Sequence, residues 1–116
     1  MNKRELGGSY EQSACEYLEE KGFKILERNF RRKIGEIDII ARDGEYLVFI
    51  EVKYRKNTEH GGAAYAIPYS KQKTIARVAQ WYMAEKKISQ NCLCRFDAVL
   101  IDADEITHIE DAWRLH

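Results

Sequence analysis

The sequence predicts an α/β domain, a mixed β-sheet with a helix packed on each side. Three observations lead there. An amphipathic helical stretch near the start is followed by three extended runs, an Asp-Gly pair separates two of those runs, and a second amphipathic helix precedes two more. The predicted order is helix, three strands, helix, two strands. With 116 residues the chain suits one domain, 1–116, and is too short for two ordinary ones.

The first helix is expected to begin at Ser9-x-x-Gln12, which has the form of a capping box. Tyr10, Ala14, Tyr17 and Leu18 then fall on one face, and Gly22 is a natural stop because glycine accepts the left-handed conformation. Residues 23–29 form a short mixed strand. Residues 36–42 and 45–54 are rich in Ile, Val, Phe and Tyr, with Asp43-Gly44 between them as a hairpin signal. Tyr46-Leu-Val-Phe-Ile50 is apolar at every position, as a central strand covered on both faces should be. Residues 57–67, with Gly61-Gly62, read as a mobile loop. Ser70 to Lys87 reads as the second helix, burying Ile75, Val78, Ala79 and Tyr82. Strands are expected at 93–101 and 106–109.

Composition narrows the functional classes. No apolar run follows the first charges and none approaches the ~20 residues of a membrane span, so neither a signal peptide nor a membrane association is expected. Cys15, Cys92 and Cys94 lack the paired spacing of a zinc site and read as plain thiols of a cytoplasmic protein. Net charge is zero, which by itself disfavours a general nucleic-acid binder. The charges are unevenly spread, however. Arg28, Arg31, Arg32 and Lys33 lie close together, and residues 61–90 hold Lys71, Lys73, Arg77, Lys86 and Lys87 against the single acid Glu85. A neutral total can therefore conceal a basic face.

The sharpest anomaly is Glu51-Val52-Lys53, directly after the apolar run. Alternation puts Glu51 and Lys53 on one face of the strand. If Asp43-Gly44 is the two-residue turn, Arg42 pairs with Glu45 and Asp38 falls opposite Phe49. Asp38 is then diagonal to Glu51 on the same face, about 7–8 Å away at the backbone. Asp38 is itself out of place among Ile37, Ile39 and Ile40, since a buried carboxylate is costly unless paired or bound to metal. One reading is a structural ion pair between Asp38 and Lys53. The other is a site for a hard cation, Mg2+ or Mn2+, held by Asp38 and Glu51 with a backbone carbonyl at Val52. In that case Lys53 orients water or stabilises developing phosphate charge.

Gly35-Glu-Ile-Asp38, a hairpin, and then Phe49-Ile-Glu51-Val-Lys53 resemble the PD-(D/E)xK nuclease signature, nearest the branch of Holliday-junction resolvases. With Gly8-x-x-Glu11, Glu51-Val-Lys-Tyr-Arg55, Ser70-Lys-Gln-Lys73 and Arg95-Phe-Asp97, nearly the whole chain is similar to the YraN-like family of small bacterial endonuclease-like proteins. Ile37 stands where the named signature has proline. The resemblance implies a restriction-endonuclease-like core in which Asp38 and Glu51 bind metal and Lys53 assists attack on phosphate. It further implies that the helical acid Glu11 joins the site, and that Lys71, Gln72 and Lys73 begin a helix that contacts phosphate. Asp97, an acid in an apolar strand, stays outside the core site.

The expected function is a Mg2+- or Mn2+-dependent endonuclease hydrolysing phosphodiester bonds in DNA, on branched or otherwise structured substrates. Resolvase-like action would suit a homodimer. The alternative is a non-catalytic nucleic-acid-binding module of the same fold, in which Arg31, Arg32, Lys33, Arg55, Lys56, Lys71 and Lys73 meet phosphates and binding falls steeply with salt.

Overall fold

The computed structural model describes residues 3–55, 67–102 and 105–114, with side chains from Tyr10 onward and Arg55 excepted. Helix α1 spans Lys3–Glu20. Strands β1 (Lys24–Arg32), β2 (Gly35–Asp43) and β3 (Tyr46–Arg55) follow, then α2 (Tyr69–Glu85), β4 (Cys94–Asp102) and β5 (Glu105–Ile109). The predicted order of elements is the observed one. The strands form one sheet in the order β1-β2-β3-β4-β5, parallel at β3–β4 and antiparallel elsewhere. α2 is the crossover that makes the parallel pair possible.

Each helix covers one face. Ala14, Cys15 and Leu18 of α1 pack on Ile39, Ala41, Val48, Ile50 and Val99. Ile75, Val78, Ala79, Tyr82 and Met83 of α2 pack on Phe30, Ile37, Ile40, Leu47 and Phe49, with Trp113 closing that layer. β3 contributes to both layers, which is why its sequence shows no polar alternation. Fully burying side chains such as Leu18, Ile50 or Phe49 stabilises the fold by about 1.5–3 kcal/mol each.

Several local expectations are corrected. α1 begins at Lys3, so Ser9 lies inside the helix rather than capping it. The helix formers Lys3, Arg4, Glu5 and Leu6 outweigh the two glycines after them. Its end is as expected: Gly22 has φ +99°, the Gly22 N–H donates to the Glu19 carbonyl and the Phe23 N–H to the Leu18 carbonyl. Residues 56–66, most of the segment read as a loop, lie outside the described residues, but Ile67 at its end is buried in the α2 layer.

The β2–β3 turn is also displaced. Asp43 pairs with Tyr46, so the turn residues are Gly44-Glu45 instead of Asp43-Gly44. Gly44 has φ +58° and Glu45 has none, the pattern of a turn needing positive φ only at its first central residue. One glycine in that place is enough, whereas Asp43-Gly44 would need two positive φ values. The pairing therefore shifts by two positions, to Ile40↔Phe49 and Ile39↔Ile50, and the next residues along the two strands are Asp38 and Glu51, just past the last pair.

Alternation in β2 then breaks once. Ile39 and Ala41 face α1 and Ile40 faces α2, but Ile37 packs in the α2 layer and Gly35 sits against Thr74 of α2. Residues 37 and 39 thus face opposite layers, and the reversal falls at Asp38. Pairing with β3 ends at Ile39↔Ile50, so the two strands part where the acids lie.

Candidate active site

Where β2 leaves β3, the Val52 N–H loses a ladder partner on that side. It donates instead to Asp38 Oδ2 at 2.8 Å, which ties the Asp38 side chain to the β3 backbone. The Glu51 carboxyl lies close enough to share a hydrogen bond with it. Burial, then the Glu51 charge, push the Asp38 carboxyl up to about 8, against the lowering effect of the Val52 N–H. Asp38 and Glu51 are therefore two acids in one half-buried place, disfavoured when both are charged. A divalent cation between them would relieve that repulsion, and oxygen ligands of this kind suit magnesium or manganese.

The remaining predicted residues divide into those the fold brings here and those it does not. Lys53 lines a pocket of about 160 Å3 with Glu51, Ile67, Pro68 and Lys71. The Lys71 ammonium lies 3.4 Å from Glu51 Oε1, so a residue read as a phosphate ligand is also the partner of a site acid. Glu11 approaches from α1. Burial raises its carboxyl, a hydrogen bond from Asn29 opposes this, and the Asp38 charge raises it again. Asn29 holds φ +53°, which asparagine tolerates better than most residues. Among the described residues no three His, Cys, Asp or Glu side chains form a metal cluster. For a bound cation, Asp38 and Glu51 would offer a two-carboxylate donor set of the kind that leaves other positions to water and substrate, with the Val52 carbonyl next in the chain.

Gln72 does not reach toward the pocket: its Nε2 donates to the Ile67 carbonyl at 2.8 Å and fixes the turn into α2. Arg31 pairs with Glu36 at 2.9 Å, and Arg32 pairs with Glu85 while lying 4.0 Å over the Phe30 ring. The Arg31 pair is highly exposed and weak, whereas Arg32 holds both Glu85 oxygens through two nitrogens. Lys33 sits exposed in the β1–β2 turn, and Lys73 lies 5.6 Å from the Tyr69 ring centre. The Arg55 side chain lies outside the described residues.

Gly35 explains the start of the acidic motif. Its φ is +155°, and a Cβ there would come within 2.5 Å of Thr74 Cγ2. Only glycine lets the β1–β2 turn close against α2, where Gly35, Glu36, Ser70, Lys71 and Thr74 line a hollow of about 470 Å3. This hollow shares Pro68 and Lys71 with the pocket at Glu51.

Asp97 is fully buried and serves the fold. It takes both Arg95 nitrogens at 2.8 and 2.9 Å, His108 Nε2 at 2.7 Å and the Asp111 N–H at 2.9 Å. Lys21 Nζ lies 2.8 Å from His108 Nδ1. An ammonium can only donate, so Nδ1 accepts and Nε2 carries the proton given to Asp97. These contacts draw Asp97 below the usual carboxylate range in spite of burial. The network joins α1, β4 and β5, and no periodicity in the sequence reveals it. A separate pocket of about 420 Å3 opens at the start of β3 and β4, but its Arg95 and Arg114 are held by Asp97, Asp43 and Asp111. The three cysteines are free, and burial, then Cys92, push Cys94 up to about 11, so it is no ready thiolate nucleophile.

Comparison with known proteins agrees with the sequence pattern. The family described as "Uncharacterised protein family UPF0102" matches residues 10–101. A UPF0102 protein of Lachnoclostridium phytofermentans is 44% identical over 113 residues, covering 97% of this chain and 96% of the relative. One of Caldicellulosiruptor saccharolyticus is 48% identical over 99 residues, covering 85% and 83%, and one of Vibrio campbellii is 43% identical over 102 residues, covering 87% and 84%. No described helix is long and apolar enough to cross a membrane. With its family pattern matched across α1 to β4, the chain belongs to UPF0102, the YraN-like family.

Proposed function

We propose that this protein is a Mg2+- or Mn2+-dependent endonuclease that hydrolyses phosphodiester bonds in DNA, acting on branched or otherwise structured substrates in the cytoplasm. The observation that carries the reading is the Asp38–Glu51 pair, two carboxyls held together where β2 and β3 part. A fold maintaining such repulsion without a ligand loses stability by it, which is the usual signature of a functional site. When bound, the cation would supply Lewis acidity toward phosphate and water.

The chain's own residues support the rest. Asp38 and Glu51 would hold the cation, and the Val52 N–H keeps Asp38 from rotating away. Lys53, in the same pocket, donates to a non-bridging phosphate oxygen or orients the attacking water. Lys71 compensates Glu51 in the absence of ligand and can turn to phosphate once the acids are neutralised. Glu11 adds negative charge on the α1 side. Lys33, in the β1–β2 turn just before Gly35, would extend the cationic border of the adjoining hollow. A homodimer would place two such sites for paired cuts across a junction.

The test joins binding to turnover. Calorimetric titration with Mn2+ at pH 8 should give one site on the wild type and none on Asp38→Ala. Wild type should then cut a panel of junctions, flaps and single strands with metal, and lose cleavage on Asp38→Ala or Lys53→Ala. A folded wild-type protein that binds no divalent metal sinks the reading. Metal binding without cleavage, together with salt-sensitive DNA binding unaffected by Asp38→Ala, would favour the non-catalytic binding module instead.

A further inference from the structure

The outer face of α2 takes no part in the core or in the carboxylate pair. Tyr69, Lys73, Arg77 and Trp81 follow one another at i+4 spacing and are all exposed. Tyr69 is 65% and Trp81 53% exposed, the two most exposed aromatic rings among the described residues. Residues four apart form one ridge on a helix, and a rise of about 1.5 Å per residue sets the Tyr69 and Trp81 backbones about 18 Å apart along the axis. Lys73 and Arg77 lie between them. From residue 69 to 84 the helix carries Lys71, Lys73 and Arg77 and no acid, while Glu85 at its end is occupied by Arg32.

Aromatic, cation, cation, aromatic is a poor surface for a protein core and a good one for a single strand. Bases offer flat faces to stack on the rings, and the phosphates between them meet the cations. A duplex keeps its bases stacked inside and cannot use the rings. The ridge also has a direction. At its Tyr69 end, the preceding residue Pro68 lines the pocket with Glu51 and Lys53, so this end of the ridge is the one nearer the carboxylate pair.

We infer that the Tyr69–Lys73–Arg77–Trp81 ridge is a binding track for single-stranded nucleic acid, leading an unpaired segment toward Asp38 and Glu51. The destination rests on the nuclease reading; the binding does not.

The test uses the full chain in EDTA, so that turnover cannot intervene, with fluorescein-labelled oligothymidylate followed by anisotropy at low salt. Tyr69→Ala and Trp81→Ala should each weaken binding about tenfold. Trp81→Phe should retain most of it, and Arg77→Ala should flatten the salt dependence. Circular dichroism and melting should stay unchanged, since these side chains are exposed. Oligothymidylate should quench the emission of Trp81, and no quenching should remain in Trp81→Phe, whose one tryptophan is the buried Trp113. A duplex of equal length should bind more weakly. The inference is overturned if Tyr69→Ala/Trp81→Ala binds as wild type does, if wild type binds no oligonucleotide, or if sedimentation shows self-association that Trp81→Ala abolishes. Loss of the ridge with metal binding intact refutes this inference alone. An intact ridge on a protein that binds no metal refutes the nuclease reading alone.

Discussion

Replacing Asp38 by Asn removes one charge from the pair and keeps a carbonyl oxygen to accept the Val52 N–H. The carboxyl titrates at about 8 in the folded chain against an ordinary value of 3.8. Between those values the unfolded chain has lost a proton that the folded one keeps, so folding stability must fall as pH rises through this window. At 1.36 kcal/mol per pH unit, the loss amounts to about 6 kcal/mol at most. Asp38→Asn lacks that titration. Without metal it should match wild type near pH 4 and be the more stable protein at pH 8. Even half the full difference would raise its melting temperature by about 10 °C in a chain of this size. Thermal melts by circular dichroism from pH 4.5 to 8.5 in EDTA measure it directly. Saturating Mn2+ should then restore wild type at pH 8, by about 2.7 kcal/mol at a hundredfold excess over Kd, and leave Asp38→Asn unmoved. Parallel pH profiles for the two proteins, or a less stable Asp38→Asn at pH 8, would refute the account of a stability-costly acid pair.

Other perturbations separate the site from the scaffold. Asp97→Ala strands His108 and Arg95 in a buried network and should destabilise the fold by about 3–5 kcal/mol in urea melts, while any metal site at Asp38 survives in the folded fraction. Gly35→Ala must strain a positive φ and push Thr74 aside, and should cost roughly 2 kcal/mol or more on the same assay. Lys71→Met removes the cation facing Glu51 and should reduce DNA cleavage more than it reduces metal affinity, read by the cleavage panel beside calorimetry. Gln72→Ala frees the Ile67 carbonyl and should lower stability by about 1 kcal/mol, with metal affinity unchanged by calorimetry.

Much of this molecule is legible along the chain because it depends on local periodicity. The apolar faces at Ala14 and Leu18 and at Ile75, Val78, Ala79 and Tyr82 identify both helices. The unbroken run 46–50 marks the strand that both helices cover, and Gly22 marks the end of α1 by its φ. Asp38, Glu51 and Lys53 stand out for the same reason: they are charges where that periodicity demands apolar side chains.

How the acids meet is a tertiary matter. Two candidate turns around Gly44 differ by one residue, and both leave the same apolar faces, so pattern alone does not choose between them. Turn geometry does, and it leaves Asp38 and Glu51 as the next residues beyond the last pair, Ile39↔Ile50. The reversal of facing at Asp38 depends on β1 and α2 drawing Ile37 and Gly35 to their side, a contact between segments far apart in sequence. Lys71 on Glu51 and Gln72 on Ile67 could not be told apart from a generic cationic helix start. The Asp97–His108–Lys21 network was equally hidden, because its members are spread over 88 positions, from Lys21 to His108, and satisfy one another only once the sheet is closed. By itself the sequence determined which residues are chemically out of place; only the folded chain decided which of them share a site, since side-chain encounters depend on register and layer contacts that no local pattern carries.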